Sequence, residues 1–318
     1  MNKRVKQIII ISIIIAVSTV LYFCFKNDKQ EVYTSDFASQ FPLLDKTRPL
    51  YNEEDLITNV QPLREYLKSL PEANKSWADI SIYFEVLNTG SNITVNTDTK
   101  IWPASLSKLP VAMVAMKRVQ NGQWSLDNPD FIMQEKDADV KHTPEIAQHI
   151  GKEFTLDFLL NRLIIESDNT AYNMIVRSFD PEDMDSIPEA VGLDQLVDPD
   201  GKMSAKDYTR LLRALYLASY LNPEYSSKLL GLMKDSDFKG FLSAGLPEGV
   251  PFAHKWGTYV ERNVFADSGI VYLENRPYMI SVMIQAKSGD STVNEERASA
   301  VMREVGKKTY EFMRDADK

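Results

Sequence analysis

A serine and a lysine, three residues apart, stand at the start of a long apolar stretch. Ser105 and Lys108 precede the apolar residues 109–116. A helix that is apolar on nearly every side belongs in a protein core, so its polar N-terminal end is held in place. Free backbone N–H groups and the helix dipole stabilise a developing anion at that end. Lys108 lies one turn after Ser105 and accepts its proton if burial lowers the lysine pKa. Ser105 is therefore a candidate nucleophile, with Lys108 as its base.

A second polar group interrupts apolar segments farther along the chain. Ser167, Asp168 and Asn169 separate the apolar run 156–165 from another that begins at Ala171. Burying three small polar side chains without partners is costly. The triplet therefore either caps a helix or belongs to a site.

A third group lies in an extended stretch from Pro251 to Val260 and comprises Lys255, Gly257 and Thr258. Gly257 has no side chain, so a ligand or another backbone can approach the chain closely at this point. The alternative interpretation, without a functional role, is that Lys255 is a surface lysine beside an edge strand.

In their order along the chain, residues 105–108, 167–169 and 255–257 resemble the Ser-x-x-Lys, Ser-Asp-Asn and Lys-x-Gly motifs of class A β-lactamases and the related penicillin-binding proteins. The resemblance extends over roughly residues 52–316. Two strand-forming segments and a helix follow Lys255, as in that family. Only the helix follows the similar Lys-Ser-Gly at 287–289, which we interpret as a turn.

The resemblance implies catalytic roles for Ser105, Lys108, Ser167 and Lys255, and a substrate-binding role for Asn169. It implies that Ser105 attacks a carbonyl and becomes acylated, while Lys108 acts as general base. It also implies that Ser167 relays a proton to the leaving nitrogen and that Asn169 binds Lys108 or the substrate amide. Asp168 has a structural role in this scheme. A second Ser-x-x-Lys, at 236–239, opens no long apolar helix.

The resemblance also implies a substrate-binding strand. Lys255 supplies positive charge for a substrate carboxylate and keeps Ser167 polarised, and Gly257 belongs to the same strand. The backbone N–H groups of Ser105 and Thr258 form the oxyanion hole. Trp256 departs from the family, which has a threonine or serine for the carboxylate at this position, and the Thr258 hydroxyl is its nearest substitute.

A second departure concerns release of the acyl group. Class A enzymes carry a glutamate in a long loop, where it activates the hydrolytic water. Residues 195–202 contain no glutamate, and Glu166 and Glu189 lie outside that context. We therefore expect acylation to be better supported than deacylation. Three functions stay open: hydrolysis of a β-lactam, slow carboxypeptidase action on D-Ala-D-Ala-like amides of peptidoglycan stem peptides, and penicillin or peptidoglycan binding without hydrolysis.

Composition restricts the partners. The net charge of −9 argues against nucleic acid as a partner. His142, His149 and His254 show no metal-ligand spacing, and no Gly-rich phosphate loop is present. We expect neither a metal nor a cofactor, and a small β-lactam or peptidoglycan peptide as ligand.

Residues 8–25 form an uncharged apolar run long enough to span a bilayer, and basic residues precede it. We expect a single-pass anchor that leaves the rest of the chain outside the cytoplasm. The alternative is a signal peptide cleaved near residues 16–18, which would release a secreted protein. The only cysteine, Cys24, lies in this run, so the exported part contains no disulfide.

We divide the chain into an anchor (1–25), a linker (26–51) and a catalytic domain (52–318). Residues 80–95 show a strand-turn-strand pattern, 123–220 is mostly helical, and 251–286 is strand-forming before a closing helix. Strands from both ends of the domain must share one sheet. The prediction is an α+β fold of the β-lactamase/transpeptidase type, with an antiparallel sheet flanked by helices, a mostly helical subdomain and a preceding transmembrane helix. Pro62 is predicted to bend the first helix of the domain.

Overall fold

The structure is a computed structural model that describes residues 39–44 and 59–315. Among these residues no helix is both long and apolar enough to cross a membrane. The predicted anchor at 8–25 lies outside the described residues, and its prediction stands as made. Residues 39–44 fall within the predicted linker and contact the domain, since Leu44 is buried and the Tyr272 hydroxyl donates to the Leu43 carbonyl over 2.9 Å.

Seven strands form two antiparallel sheets in the part of the chain that the structure describes. In chain order they are β1 (Ala78–Val86), β2 (Asn92–Val95), β3 (Phe131–Ile132), β4 (Glu153–Phe154), β5 (Phe252–Tyr259), β6 (Val264–Val271) and β7 (Tyr278–Ala286). The main sheet has the order β2-β1-β7-β6-β5, and β3 pairs with β4 separately. The first hairpin therefore meets the C-terminal strands through β7, as the sequence pattern predicts, and β5 is left at an edge.

Nine helices surround the sheets in the described residues. They are α1 (Gln61–Asn74), α2 (Lys108–Gln120), α3 (Pro144–Ala147), α4 (Leu156–Ile164), α5 (Asn169–Arg177), α6 (Ser186–Val191), α7 (Ala205–Tyr216), α8 (Pro223–Lys234) and α9 (Ser291–Asp315). One apolar cluster joins α1 and α9 to one face of the main sheet. A larger cluster joins α2, α4, α5, α7 and α8 to the other face. The predicted α+β architecture, with helices on both faces of an antiparallel sheet, is confirmed.

Local capping residues fix several of the helix ends. The Thr155 hydroxyl accepts the Phe158 N–H at the start of α4, and Ser204 forms a reciprocal capping box with Asp207 at the start of α7. After α2, Gly122 adopts a φ of +72°, which glycine tolerates without strain.

The bend predicted at Pro62 is wrong. Pro62 lies in the first turn of α1, where proline costs nothing because its missing N–H has no partner within the helix. A different proline, Pro71, lies inside the helix close to its C-terminal end. The segment 52–58, in which the sequence predicts the start of this helix, lies outside the described residues.

Candidate active site

The candidate nucleophile lies at the junction between a short 3-10 turn, Ala104–Ser107, and α2. Every residue of α2 from Lys108 to Met116 is buried, as the apolar pattern predicts. Ala104 has a φ of +49°, which is uncommon for a residue with a side chain. Such strain persists only where the surrounding packing imposes it, so the backbone before Ser105 is held in one conformation.

Lys108 is the centre of the polar contacts in the site. Its Nζ lies 2.9 Å from Ser105 Oγ and 2.5 Å from Asn169 Oδ1. It lies 2.8 Å from the carbonyl oxygen of Ser167 and 3.3 Å from Ser167 Oγ. An ammonium group has three protons, so it cannot donate to all four acceptors at once. The structure thus brings together Ser105, Lys108, Ser167 and Asn169.

Burial makes Lys108 a weaker proton holder than an ordinary lysine. Only 3% of the residue is exposed, and desolvation lowers its pKa from 10.5 to about 8. The negative charges of Asp168 and Asp139 oppose the shift, and without them the pKa would be lower still. A neutral amine is therefore accessible near physiological pH, as a general base requires.

The contacts of Asp168 are structural. Its carboxylate accepts the Ala171 N–H at the N-terminus of α5 and pairs with Arg162 at 3.2 Å. Ser167, just before it, has a φ of +59°, a left-handed conformation that turns the chain toward Lys108. The structural role expected for Asp168 agrees with these contacts.

Asp139 is a site neighbour that the sequence analysis missed. Asn169 Nδ2 donates to Asp139 Oδ2 over 2.6 Å, which leaves Asn169 Oδ1 directed at Lys108. The His142 ring lies 2.9 Å from the same carboxylate. Burial would raise the pKa of Asp139, but hydrogen bonds from Asn169 and His142 outweigh burial and lower it. No spacing rule connects Asp139 with residue 169, because the two meet only through the tertiary fold.

Strand β5 closes the site from the other side. A Cβ atom added at Gly257 would lie 2.6 Å from the backbone nitrogen of Ser105, a clash that no real side chain shows. Glycine at this position is what allows the strand to lie directly against the nucleophile turn. Thr258, the next residue on β5, is partly exposed beside it.

Lys255 is more deeply buried than expected. It is 0% exposed, and the hydrogen bond it makes goes to the Trp256 carbonyl over 3.0 Å. Burial, together with the positive charge of Lys108, holds its pKa well below the usual lysine range, and Asp267 opposes this only in part. No hydrogen bond joins Lys255 to Ser167 among the described residues, so polarisation of Ser167 by Lys255 stays a prediction.

Trp256, the residue at which the third motif departs from the family pattern, has a packing role. Its indole stacks on Phe238 with ring centroids 4.1 Å apart, and it packs against the apolar cluster of α1 and α9. Its Nε1 is buried without a hydrogen-bond partner. The side chain therefore serves packing and offers no hydroxyl to a substrate carboxylate.

The loop before α7 is tied to the strand segment that leads to the nucleophile. Met203 exchanges two backbone hydrogen bonds of 2.9 Å with Ile101. A Cβ at Gly201 would lie 2.8 Å from the Trp102 ring, so the loop packs closely there. Asp198 accepts N–H groups from within this loop, which commits its carboxylate to the local fold.

Neither glutamate considered for deacylation is placed as a free base. Glu166 pairs with Arg162, and partial burial raises its pKa although Arg162 opposes the shift. Glu189 lies on α6 and is exposed. The second Ser-x-x-Lys is a local turn in which Lys239 Nζ donates to the backbone carbonyl of Ser236 over 2.9 Å. Within the described ranges, no group of acidic, histidine or cysteine side chains could hold a metal ion.

Comparison with known proteins agrees with this geometry. Residues 62–313 match the model of the β-lactamase enzyme family. The fold is similar to that of PBP-A, with a TM-score of 0.70 and 24% identity over 79% of this chain and 96% of PBP-A. It is similar also to an ancestral class A β-lactamase, with a TM-score of 0.68 and 22% identity over 78% of this chain and 99% of the other. The family match spans most of the chain, and the chain belongs to the β-lactamase enzyme family.

Proposed function

We propose that this protein is an exported serine hydrolase that is acylated at Ser105 by β-lactams or by D-Ala-D-Ala-like amides, and that it releases the acyl group slowly. The observation that carries the proposal is the 2.9 Å contact between Ser105 Oγ and the Nζ of Lys108, whose pKa falls to about 8. A lysine in this state takes a proton from a serine hydroxyl at neutral pH.

In the acylation step, Ser105 Oγ bonds to the carbonyl carbon of the substrate while its proton passes to Lys108 Nζ. The carbonyl oxygen becomes an anion, which the backbone N–H groups of Ser105 and Thr258 stabilise. The C–N bond then breaks, and the nitrogen receives the proton from Lys108 through Ser167. The 3.3 Å separation between Lys108 Nζ and Ser167 Oγ supports this transfer.

In the deacylation step, water must attack the Ser105 ester. The loop 193–203 carries no glutamate, and Glu166 is engaged by Arg162. Without a base for the water, this step loses general-base assistance of about 10²- to 10⁴-fold. The acyl-enzyme therefore accumulates. A variant of the similar protein PBP-A has been solved as an acyl-enzyme complex with penicillin-G.

The mass of the intact protein, followed over time with a penicillin, tests both steps. We expect a stable gain of one penicillin mass, which Ser105→Ala abolishes and the matched change Ser236→Ala leaves in place. Labelling that survives Ser105→Ala, or that Ser236→Ala removes, would overturn the nucleophile assignment.

Product release distinguishes the slow enzyme from a working β-lactamase. We expect a burst of about one product per enzyme followed by a slow phase. Glu166→Gln and Glu189→Gln should leave the slow phase nearly unchanged. Rapid turnover that one of these substitutions stalls at the acyl stage would show that a glutamate supplies the base from an unexpected position.

The same mass experiment separates the alternatives. Slow release of an acyl group derived from a D-Ala-D-Ala peptide, with free D-Ala as product, favours a carboxypeptidase. An adduct that forms with penicillin but no reaction with the peptide favours a binding module. The loop without glutamate favours both alternatives over rapid β-lactam hydrolysis.

We also propose that residues 8–25 anchor the domain outside the cytoplasm, because the run is apolar and follows basic residues. Membrane fractionation with external protease treatment tests this. Full-length protein in the membrane fraction, with a domain that the protease reaches from outside, is the expected result. A processed N-terminus near Thr19 would show a cleaved signal peptide, and full-length protein in the soluble cytoplasmic fraction would contradict export.

A further inference from the structure

A cavity of about 320 Å³ lies outside the acylation site, between α7, the end of α6 and strand β1. Its polar lining comes mainly from Lys206, Arg210 and Arg213 of α7, with Thr209 and Tyr83 beside them. None of the described residues that line the cavity is acidic. The cavity is large enough for a tetrahedral anion carrying a small organic group.

The three cations occupy one face of α7, at spacings of four and three residues. Like charges at these spacings destabilise a helix. Here they gather around one cavity in a chain whose net charge is −9. The three side chains therefore create a local region of positive potential on a protein whose net charge is negative.

Among the described residues, a salt bridge neutralises only one of the three cations. Arg213 pairs with Glu85, which is 1% exposed and also accepts the Tyr83 hydroxyl at 2.5 Å. Within residues 39–44 and 59–315, neither Lys206 nor Arg210 forms a salt bridge. The lining therefore retains two uncompensated positive charges.

Arg210 is held in place while one of its donors stays unused. Its Nη1 donates to the carbonyls of Val191 and Gly192 over 3.2 and 2.9 Å. Its Nε is buried and has no hydrogen-bond partner. Leaving a buried donor without an acceptor is unfavourable, so the surrounding packing holds Arg210 in this position at a cost in stability.

We infer that this cavity binds a phosphate group. A phosphate carries up to two negative charges, which match the two uncompensated cations, and its oxygens suit the planar donor fork of arginine. The phosphate can belong to a soluble phosphomonoester or to an anionic lipid headgroup. The site takes no part in acyl transfer, so the inference is independent of the proposed function.

Thermal unfolding of the full-length protein tests the site. At constant ionic strength, inorganic phosphate should raise Tm in a concentration-dependent way that chloride does not reproduce, because a ligand of the native state stabilises it. The double variant Lys206→Gln/Arg210→Gln should bind phosphate at least about tenfold more weakly. The matched control Arg303→Gln/Lys307→Gln removes the same charges at the same spacing from the exposed face of α9 and should respond as the wild type does.

Two further probes identify the source of the phosphate. Phenyl phosphate represents a soluble ester, and dihexanoyl phosphatidylglycerol below its micellar concentration represents a headgroup, with dihexanoyl phosphatidylcholine as the neutral comparison. A response to either anionic probe that the double variant loses supports the site and names its source. Equal Tm values in phosphate and chloride with no response to either probe, or an equal response of the double variant and the wild type, would overturn it.

Discussion

The buried lysines of the candidate active site differ from the arginines that pair with buried acids elsewhere in the fold. Outside, Arg177 pairs with Asp137 at 2.8 Å and Arg213 pairs with Glu85, and both acids are almost fully buried. Inside, Lys108 and Lys255 form no salt bridge among the described residues. Burial would lower the pKa of Arg213, but Glu85 outweighs it and the pKa is raised, whereas desolvation lowers the pKa of both lysines.

The difference separates stability from chemistry. In a buried ion pair, each charge compensates the other. Removing one partner leaves the other charge uncompensated, and its full desolvation penalty then lowers stability. A protonated lysine buried without a carboxylate is costly, so its pKa falls and a neutral amine, which can accept a proton, becomes available near neutral pH. The site is thus a region where the fold gives up stability for reactivity.

The largest effect should come from Lys108→Met. We expect acylation by a fluorescent penicillin to slow by about 10²- to 10⁴-fold, because the base is lost. The free energy of unfolding at pH 7 should change little. Among the described residues, no buried carboxylate contacts Lys108 and would be left unpaired. Stopped-flow labelling and urea unfolding measure the two quantities. Undiminished labelling would show that another group accepts the Ser105 proton.

Outside the site, Asp137→Asn should produce the opposite pattern. It leaves the Arg177 guanidinium partly buried without its acid, and the expected loss of unfolding free energy is about 3–5 kcal/mol. The protein that remains folded should acylate at the wild-type rate. The control Asp180→Asn removes a surface acid whose side chain is 70% exposed, and it should change stability by less than about 1 kcal/mol. Equal effects of the two changes would refute the comparison.

Replacing Lys255 should raise the free energy of unfolding while weakening the proposed reaction with substrate. The pKa of Lys255 is depressed in the folded protein. Below the unfolded-state pKa of about 10.4, the unfolded chain therefore binds a proton that the folded protein does not bind. The free energy of unfolding thus falls as the pH drops below that value. We expect Lys255→Met to add about 0.5–2 kcal/mol at pH 7 and less near pH 10.5. Urea titrations at both pH values measure this gain. A loss of stability at pH 7 would mean that the lysine is favourably placed.

The smallest effect concerns Asp139. Acylation by wild-type enzyme should rise with pH and level off above about 8, because Lys108 must be neutral to act as a base. Asp139→Asn removes a negative charge that supports protonated Lys108, so the rise should move to lower pH, while Asp139→Glu should retain the wild-type position. The pH profile of the acylation rate measures this shift. An unchanged profile in Asp139→Asn would show that Asp139 acts only on the orientation of Asn169.

Much of the fold was predictable because its signals are local. The apolar run after Ser105 requires a buried helix, Thr155 and Ser204 satisfy free N–H groups at helix starts, and the alternation in 80–86 marks a strand. These features depend on residues within a few positions of one another. The three motifs and their order are also local, which is why the family was recognisable from the sequence.

Other features depended on which distant segments meet. Asp139 comes within 2.6 Å of Asn169 because the segment around it packs against the start of α5. Trp256 stacks on Phe238, which no periodicity connects with it. A sequence specifies that these residues exist, but long-range packing decides their partners, and the partners set the charge and burial on which their chemistry depends.

The sequence by itself thus pointed to the candidate nucleophile, its neighbouring lysine and the absence of a glutamate from the loop 195–202. Only the tertiary structure decided that Lys108 contacts Ser105, Ser167 and Asn169 together. It also decided that Lys255 is fully enclosed. The physical reason is that residue type and spacing act along the chain, whereas desolvation and hydrogen bonding at the site arise from elements far apart in it.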